Sequence, residues 1–392
     1  MLDIIRTSFL IIFGIIVVFR MLNINLASWL FRKIEFPYIE DEVIQQYIDK
    51  NSKKELKDLV FVNRLTDDQV CELWNFKSLK NQLNIFVIGI LLSIGILIAR
   101  IPNLQVSMDL ISYFGLFTFL FIFVFLFRYA SITASTFKTT RYGCIKFSLL
   151  ISIGSYFVFS WIPLYGLDIR EYVYTWIEMP PRLANICLSC IVFLVSYALA
   201  YPSYIYFNTY RTCSSIEKEV GKWKHCFDTY KEYVSKVQNT QTTCYISMPV
   251  PTIILFFIRR FFVGYSIDYY LDIVYVFIEF FMAFYLLKFT EIELRMLVND
   301  NCRYLTAFET NKLESDGRKF QKSLGETIHL LPTTAMSLLA YPLLVVTCCI
   351  AFGTSFLVEG FSQEVLRYGS IFLLALMEIV TAMNKVACLF IE

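Results

Sequence analysis

Apolar positions in this chain gather into long runs instead of alternating with polar ones. Leu83–Ala99, Leu110–Phe127, Ile145–Leu167 and Leu183–Phe207 are each close to continuously apolar. Two further runs, Tyr245–Tyr265 and Tyr269–Phe289, are joined only by Ser266, Ile267 and Asp268, and Met336–Val358 and Gly369–Ile391 follow. A helix of about 20 apolar residues spans the hydrocarbon core of a bilayer. The pattern therefore predicts an all-α, polytopic helical membrane protein. These runs give eight crossings, nine if the apolar stretch between Asp3 and Phe31 also spans, and seven if neither it nor Met336–Val358 does.

The polar stretches between the runs predict orientation. Arg128–Lys146 carries Arg128, Lys138, Arg141 and Lys146 and no acid, a positive-inside signal that puts it in the cytosol. Alternation then places Asp168–Arg182 outside and the stretches 32–80, 208–243 and 290–331 in the cytosol, each rich in Lys and Arg. The organisation expected is an N-terminal part, 1–80, with an apolar helix and short helices on the membrane face, and a transmembrane part, 81–392, with cytosolic helical extensions at 208–243 and 290–331.

The extension after Phe207 has its own periodicity. Cys213, Ile216, Val220, Trp223, Phe227, Tyr230, Val234 and Val237 recur at spacings of three and four, with Lys, Glu and Asp between them. That is a heptad seam, predicting a helix that leaves the membrane at Phe207 and continues to about Gln238. Ile216, Val220, Trp223, Phe227, Tyr230 and Val234 are its assembly surface. After the tight hairpin Leu294, Leu297, Asn301, Tyr304 and Phe308 repeat the pattern more briefly.

Composition agrees with the class: 57% of residues are apolar and 17% aromatic, and a formal charge of +2 gives no reason to expect nucleic acid. Of 11 cysteines several lie in apolar runs and the rest beside loops expected in a reducing cytosol, so no disulfide is predicted. Cys187 and Cys190 form a CxxC inside an apolar helix, where they read as small packing residues. With two histidines and no HExxH, GxSxG or Gly-rich phosphate loop, neither a metal site, a cofactor nor an enzyme is expected.

The informative residues are charges inside apolar runs, where an ionisable side chain is costly and marks function by default. Arg259, Arg260, Asp272 and Glu279 lie in the hairpin, Glu279 near the middle of its second arm. In the last run Glu378 and Lys385 are seven apart, with Thr381 between them on the same helix face. Pro342, inside an apolar run, predicts a kink.

The passage TYKEYVSKVQNTQTTCYISMPVPTIILFF, Thr229 to Phe257, takes a long helix out of the membrane, turns polar and re-enters through a Ser and Pro pair. Together with Val346, Thr347, Cys348, Cys349 and Gly353 it resembles the invertebrate gustatory-receptor-like family of chemoreceptors. Of that family's closing Thr-Tyr and Gln-Phe signature only Thr381 and Phe390 stand here, Ala382 and Leu389 replacing the others. The resemblance implies seven crossings, an oligomeric ligand-gated cation channel of the plasma membrane, and a last helix lining the pore. On it Glu378, Thr381 and Lys385 are pore-face candidates, and the partners are the lipid bilayer, further copies or related subunits, and a small-molecule ligand.

The residues alone support other functions. A transporter or lipid scramblase makes Glu279 and Arg259 or Arg260 a midplane charge system. A G-protein-coupled receptor and a structural subunit of a membrane complex are the further alternatives.

Overall fold

The computed structural model describes residues 34–38, 61–99, 108–136, 141–161, 180–219, 267–299 and 313–388, with positions 27, 30, 31, 254 and 258. Two short strands and nine helices are described. Strand β1 (Glu35–Tyr38) pairs antiparallel with β2 (Phe61–Arg64), Glu35 opposite Arg64 and Tyr38 opposite Phe61. The helices are α1 (Asp67–Glu72), α2 (Phe76–Ala99), α3 (Met108–Thr136), α4 (Arg141–Trp161), α5 (Pro181–Glu219), α6 (Ile267–Asn299), α7 (Leu313–Leu338), α8 (Ala340–Ser355) and α9 (Phe361–Cys388). The fold is thus helical apart from one small ribbon, at residues for which the sequence suggested short helices.

Four stretches are long and apolar enough to cross a membrane among the described residues: Arg182–Ile205, Tyr269–Leu287, Gln321–Ser355 and Ser362–Asn384. Shorter apolar helices occupy Ile122–Ala134 and Gly143–Val158. The helices overrun the boundaries the sequence suggested. α5 continues past Phe207 to Glu219, and its 39 residues reach about 58 Å at 1.5 Å each. α6 runs on to Asn299, and α7 begins at Leu313, inside what reads as polar cytosolic sequence.

α8 is the centre. It packs against α2, α3, α5, α6, α7 and α9. Its residues are apolar around the whole circumference, as a helix needs to be when every side meets protein. The consequence is visible in burial: 89% of the most apolar window of Gln321–Ser355 lies inside the bundle, against 39% for Tyr269–Leu287 on the rim. α7 and α8 are almost one helix, broken at Leu339, three residues before Pro342. Proline has no N–H for the carbonyl one turn back, and the helical run is interrupted for one residue close to it.

At one end of the bundle the chain closes over the helices. Thr66 caps α1: its Oγ1 accepts from the Gln69 N–H at 3.4 Å, while the Thr66 N–H donates to Gln69 Oε1 at 3.1 Å, a capping box. Asn75 turns the chain with φ 63°, a left-handed conformation Asn tolerates, and its amide donates to Thr333 Oγ1 on α7 at 3.2 Å. Ala27, Phe31, Ile34, Val70 and Leu79 then pack with Leu294 and Val298 of α6 and Leu324 and Leu331 of α7. The brief stripe after the hairpin is therefore partly used, Leu294 and Leu297 packing within this end cluster.

Close approach of two helices is legible at Gly369 of α9, where an added Cβ meets the Phe119 ring of α3 at 2.9 Å. Gly369→Val is expected to cost about 1–3 kcal/mol by overpacking. Gly353→Ala, at an exposed helical site with nothing within 4 Å, is expected to be neutral or favourable by up to about 1 kcal/mol. Thermal unfolding of the two purified variants in detergent checks this, and equal melting temperatures would remove the steric account.

Candidate functional site

Polar side chains inside a bundle of this kind come from helices that are apolar elsewhere, so each marks a specific face. On α6, Asp272, Tyr275 and Glu279 follow one another at spacings of three and four. That spacing puts them on one face. All three are buried, whereas Tyr270, Val274, Phe277 and Phe281 on the other face are exposed. On α9 the buried face carries Glu378, Thr381 and Asn384, and the outer face Ile379 and Met383. α8, packed against both helices, supplies Tyr341, Cys348 and Cys349.

At one end α6 and α9 are joined by a salt bridge. Arg367 donates from Nε to Asp272 Oδ2 at 2.9 Å and from Nη2 to the same oxygen at 2.6 Å. The Asp272 side chain is fully buried and that of Arg367 is 19% exposed. The guanidinium also lies over the rings of Tyr269 at 5.0 Å and Tyr368 at 5.3 Å, a cation–π arrangement. Both residues stand near the N-termini of their helices. Because α7–α8 runs back between them, α6 and α9 run in the same direction.

Deeper in the bundle Tyr275 and Glu279 of α6 and Glu378 of α9 are all buried. Cys349 of α8 is held to α6 by a hydrogen bond from Sγ to the Val276 carbonyl at 3.6 Å. Glu279 Oε1 and Thr381 Oγ1 are buried with no hydrogen-bond partner. An unpartnered buried oxygen costs free energy that neighbouring packing must offset. Among the described residues no three His, Cys, Asp or Glu side chains gather as a metal-binding group.

Farther along α9, Asn384 donates to the Ser196 carbonyl of α5 at 3.2 Å, and Ser196 Oγ donates to Ser148 Oγ of α4 at 3.1 Å. Elsewhere the Gln82 amide of α2 donates to the Tyr129 hydroxyl of α3. A polar seam thus follows the inward faces of α6 and α9, from Asp272–Arg367 through Glu279 and Glu378 to Asn384.

Of the residues the sequence singled out, Asp272, Glu279, Glu378 and Thr381 lie along this seam. Glu378 and Thr381 are buried within the bundle. Lys385 belongs to α9, but its side chain is outside the described residues, as are Arg259 and Arg260 altogether. Ile216 falls within α5, its side chain outside the description; Val220, Trp223, Phe227, Tyr230 and Val234 also lie outside. Cys187 and Cys190 are exposed on α5 and free, so they are not packing residues of the bundle interior.

Sequence reasoning missed Arg367, Tyr275 and Asn384. Arg367 falls in what reads as a short loop, yet α9 begins at Phe361, directly after Gly360 with φ 69°. The available signal was that glycine, a residue suited to the turn before a helix, together with the acid Asp272 inside an apolar run. Tyr275 is hidden among many aromatics, and nothing marks it out. No family model, curated protein or solved structure matches the chain, so its functional reading rests on this geometry.

Proposed function

We propose that this chain is a multi-pass transport protein of the surface membrane, with seven to nine crossings, whose solute passes along the seam between α6, α8 and α9 within one protomer. The observation that carries the reading is the burial of two carboxylates, Glu279 of α6 and Glu378 of α9, on helices that both pack against α8. Intramembrane carboxylates turned toward the bundle interior are the usual furniture of ion and solute pathways. Asp272–Arg367 closes the seam at one end. The substrate class favoured is a cationic solute or one moved together with a cation.

The test is uptake into proteoliposomes under an imposed inside-negative potential, using labelled primary amines, quaternary amines and neutral amino acids as probes. Glu279→Gln and Glu378→Gln are each expected to reduce uptake by tenfold or more while the protein stays monodisperse. Uptake by both variants at the wild-type rate would overturn the reading.

A receptor channel of the gustatory-receptor-like type is the second reading. It is favoured by the length of α5, which extends well beyond a hydrocarbon core of about 30 Å and offers an assembly helix outside the membrane. That reading needs Glu378 and Thr381 to reach an axis between protomers, whereas here they pack inside one. Ligand-gated currents from an oligomer, insensitive to Glu279→Gln, would favour it over transport.

Both readings share a topology. Epitope tags inserted after Asn239 and after Thr310 are expected to bind antibody only once the membrane is permeabilised, since both flanking stretches are rich in Lys and Arg. Labelling of either tag on intact cells would reverse the orientation.

A further inference from the structure

We propose that Asp272 and the rings around it form the entry site for the solute, a cation bearing N–H groups of the alkylguanidinium or primary alkylammonium class. Arg367 is the resident occupant of that site, displaced when the solute binds. The proposal rests on the transport reading for its purpose and on the geometry of the ion pair for its chemistry.

Three helices build the site. Asp272 of α6 offers one oxygen that accepts two N–H groups, at 2.9 and 2.6 Å. The rings of Tyr269 on α6 and Tyr368 on α9 lie 5.0 and 5.3 Å from the guanidinium carbon. Phe356, at the end of α8, stands edge-on to Tyr269 at 5.7 Å. A buried anion walled by aromatic faces is the chemistry that recognises organic cations, and it selects within that class. Cation–π attraction alone would take a quaternary amine, but such a ligand gives the carboxylate no hydrogen bond, and a buried charge left unsatisfied is costly. A cation with N–H groups keeps both interactions.

The occupant is placed to exchange. Asp272 and Arg367 lie within two turns of the N-termini of α6 and α9. The Arg367 side chain is 19% exposed and Tyr269 is 41% exposed, so the site is open at that end of the bundle. α6 and α9 each pack extensively on α8 but touch each other little. Exchange of Arg367 for a solute cation therefore breaks one ion pair and no broad helix interface. Asp272 stays paired before and after, which avoids the cost of stranding a buried carboxylate. A group tethered beside its site has an effective concentration in about the millimolar range, so a competing solute is expected to act at about that concentration.

The test is chemical rescue of the full-length protein purified in detergent. N-Ethylguanidinium is the part of the side chain that Arg367→Ala removes. At about 10 mM it is expected to restore about half or more of the melting temperature the variant loses, since a ligand that binds only the folded state stabilises it. Tetramethylammonium at the same concentration is expected to restore none. Neither compound is expected to act on Asp272→Leu/Arg367→Ala, which lacks the carboxylate. In the wild type the readout is modification of Arg367 by phenylglyoxal, followed by mass spectrometry of its peptide. Propylammonium is expected to raise that labelling about threefold or more by releasing the guanidinium, and tetramethylammonium to leave it unchanged.

A folded Arg367→Ala that N-ethylguanidinium does not stabilise, or that tetramethylammonium stabilises equally, would overturn the proposal. Should the variant not fold, wild-type labelling decides, and labelling unmoved by propylammonium overturns the proposal alone. Rescue and displacement without uptake of any probe remove the transport reading and leave the cation site. Uptake that depends on Glu279, with neither rescue nor displacement, removes the site and leaves the transport reading.

Discussion

Replacing Arg367 by Met is expected to destabilise the protein by about 3–5 kcal/mol, because it strands the fully buried Asp272 carboxylate without its partner. The loss has two parts. The larger is the desolvated charge left on α6. The smaller, about 0.5–2 kcal/mol, is the contact of the guanidinium with the Tyr269 and Tyr368 rings. Arg367→Lys keeps a charge but not the paired Nε and Nη2 donors, so it is expected to fall between wild type and Met. The discriminating variant is the double Asp272→Leu/Arg367→Met. Exchanging a buried pair for apolar residues of similar size is often nearly neutral, so the double is expected to melt well above the single. Thermal unfolding of the detergent-purified proteins reads this, and a double variant no better than Arg367→Met would mean that the pair is not what joins α6 to α9.

The next largest effect is expected at the centre of the bundle. Phe352 of α8 is 3% exposed and meets Phe356 edge-on at 5.1 Å, so Phe352→Ala opens a cavity at a cost of about 3–5 kcal/mol. Phe281 of α6 is the comparison. It makes ring contacts too, at 4.6 Å with Phe277, but is 57% exposed on the outer face. In a bilayer that face meets lipid tails as apolar as itself. Phe281→Ala is therefore expected to cost about 1 kcal/mol, the worth of its ring contact. Similar losses for both variants, in melting or in surface expression, would contradict the central position of α8.

The class of this protein was legible in the sequence because it follows from one physical requirement: a helix that crosses lipid needs a long apolar run. The rank order among the runs was not legible. Met336–Val358 and Tyr269–Phe289 are both strongly apolar, yet one is at the centre and the other at the rim, and apolar side chains face protein and lipid equally well. The charges show the same division. Asp272, Glu279 and Glu378 were conspicuous because bilayers penalise charge wherever it faces, and they do share a seam. Their partners were not conspicuous: Arg367 lies close to the chain reversal, where arginine is common, and Tyr275 is one aromatic among many. What Glu378 and Thr381 pack against was likewise not legible in α9 viewed alone. Burial of both against neighbouring helices depends on which side of α9 those neighbours occupy, and the sequence of α9 does not contain that.

The helix that touches nearly every other one is also among the last to be made. When α5 has left the ribosome, the surfaces that α2, α3 and α5 turn toward α8 have nothing to cover them, and they remain so until residues 340–355 are synthesised. During that interval the early helices are open to quality control and to wrong partners. Premature termination before Ala340 removes the common neighbour of the bundle, so a truncation that spares α1 to α7 is still a lesion of the whole assembly.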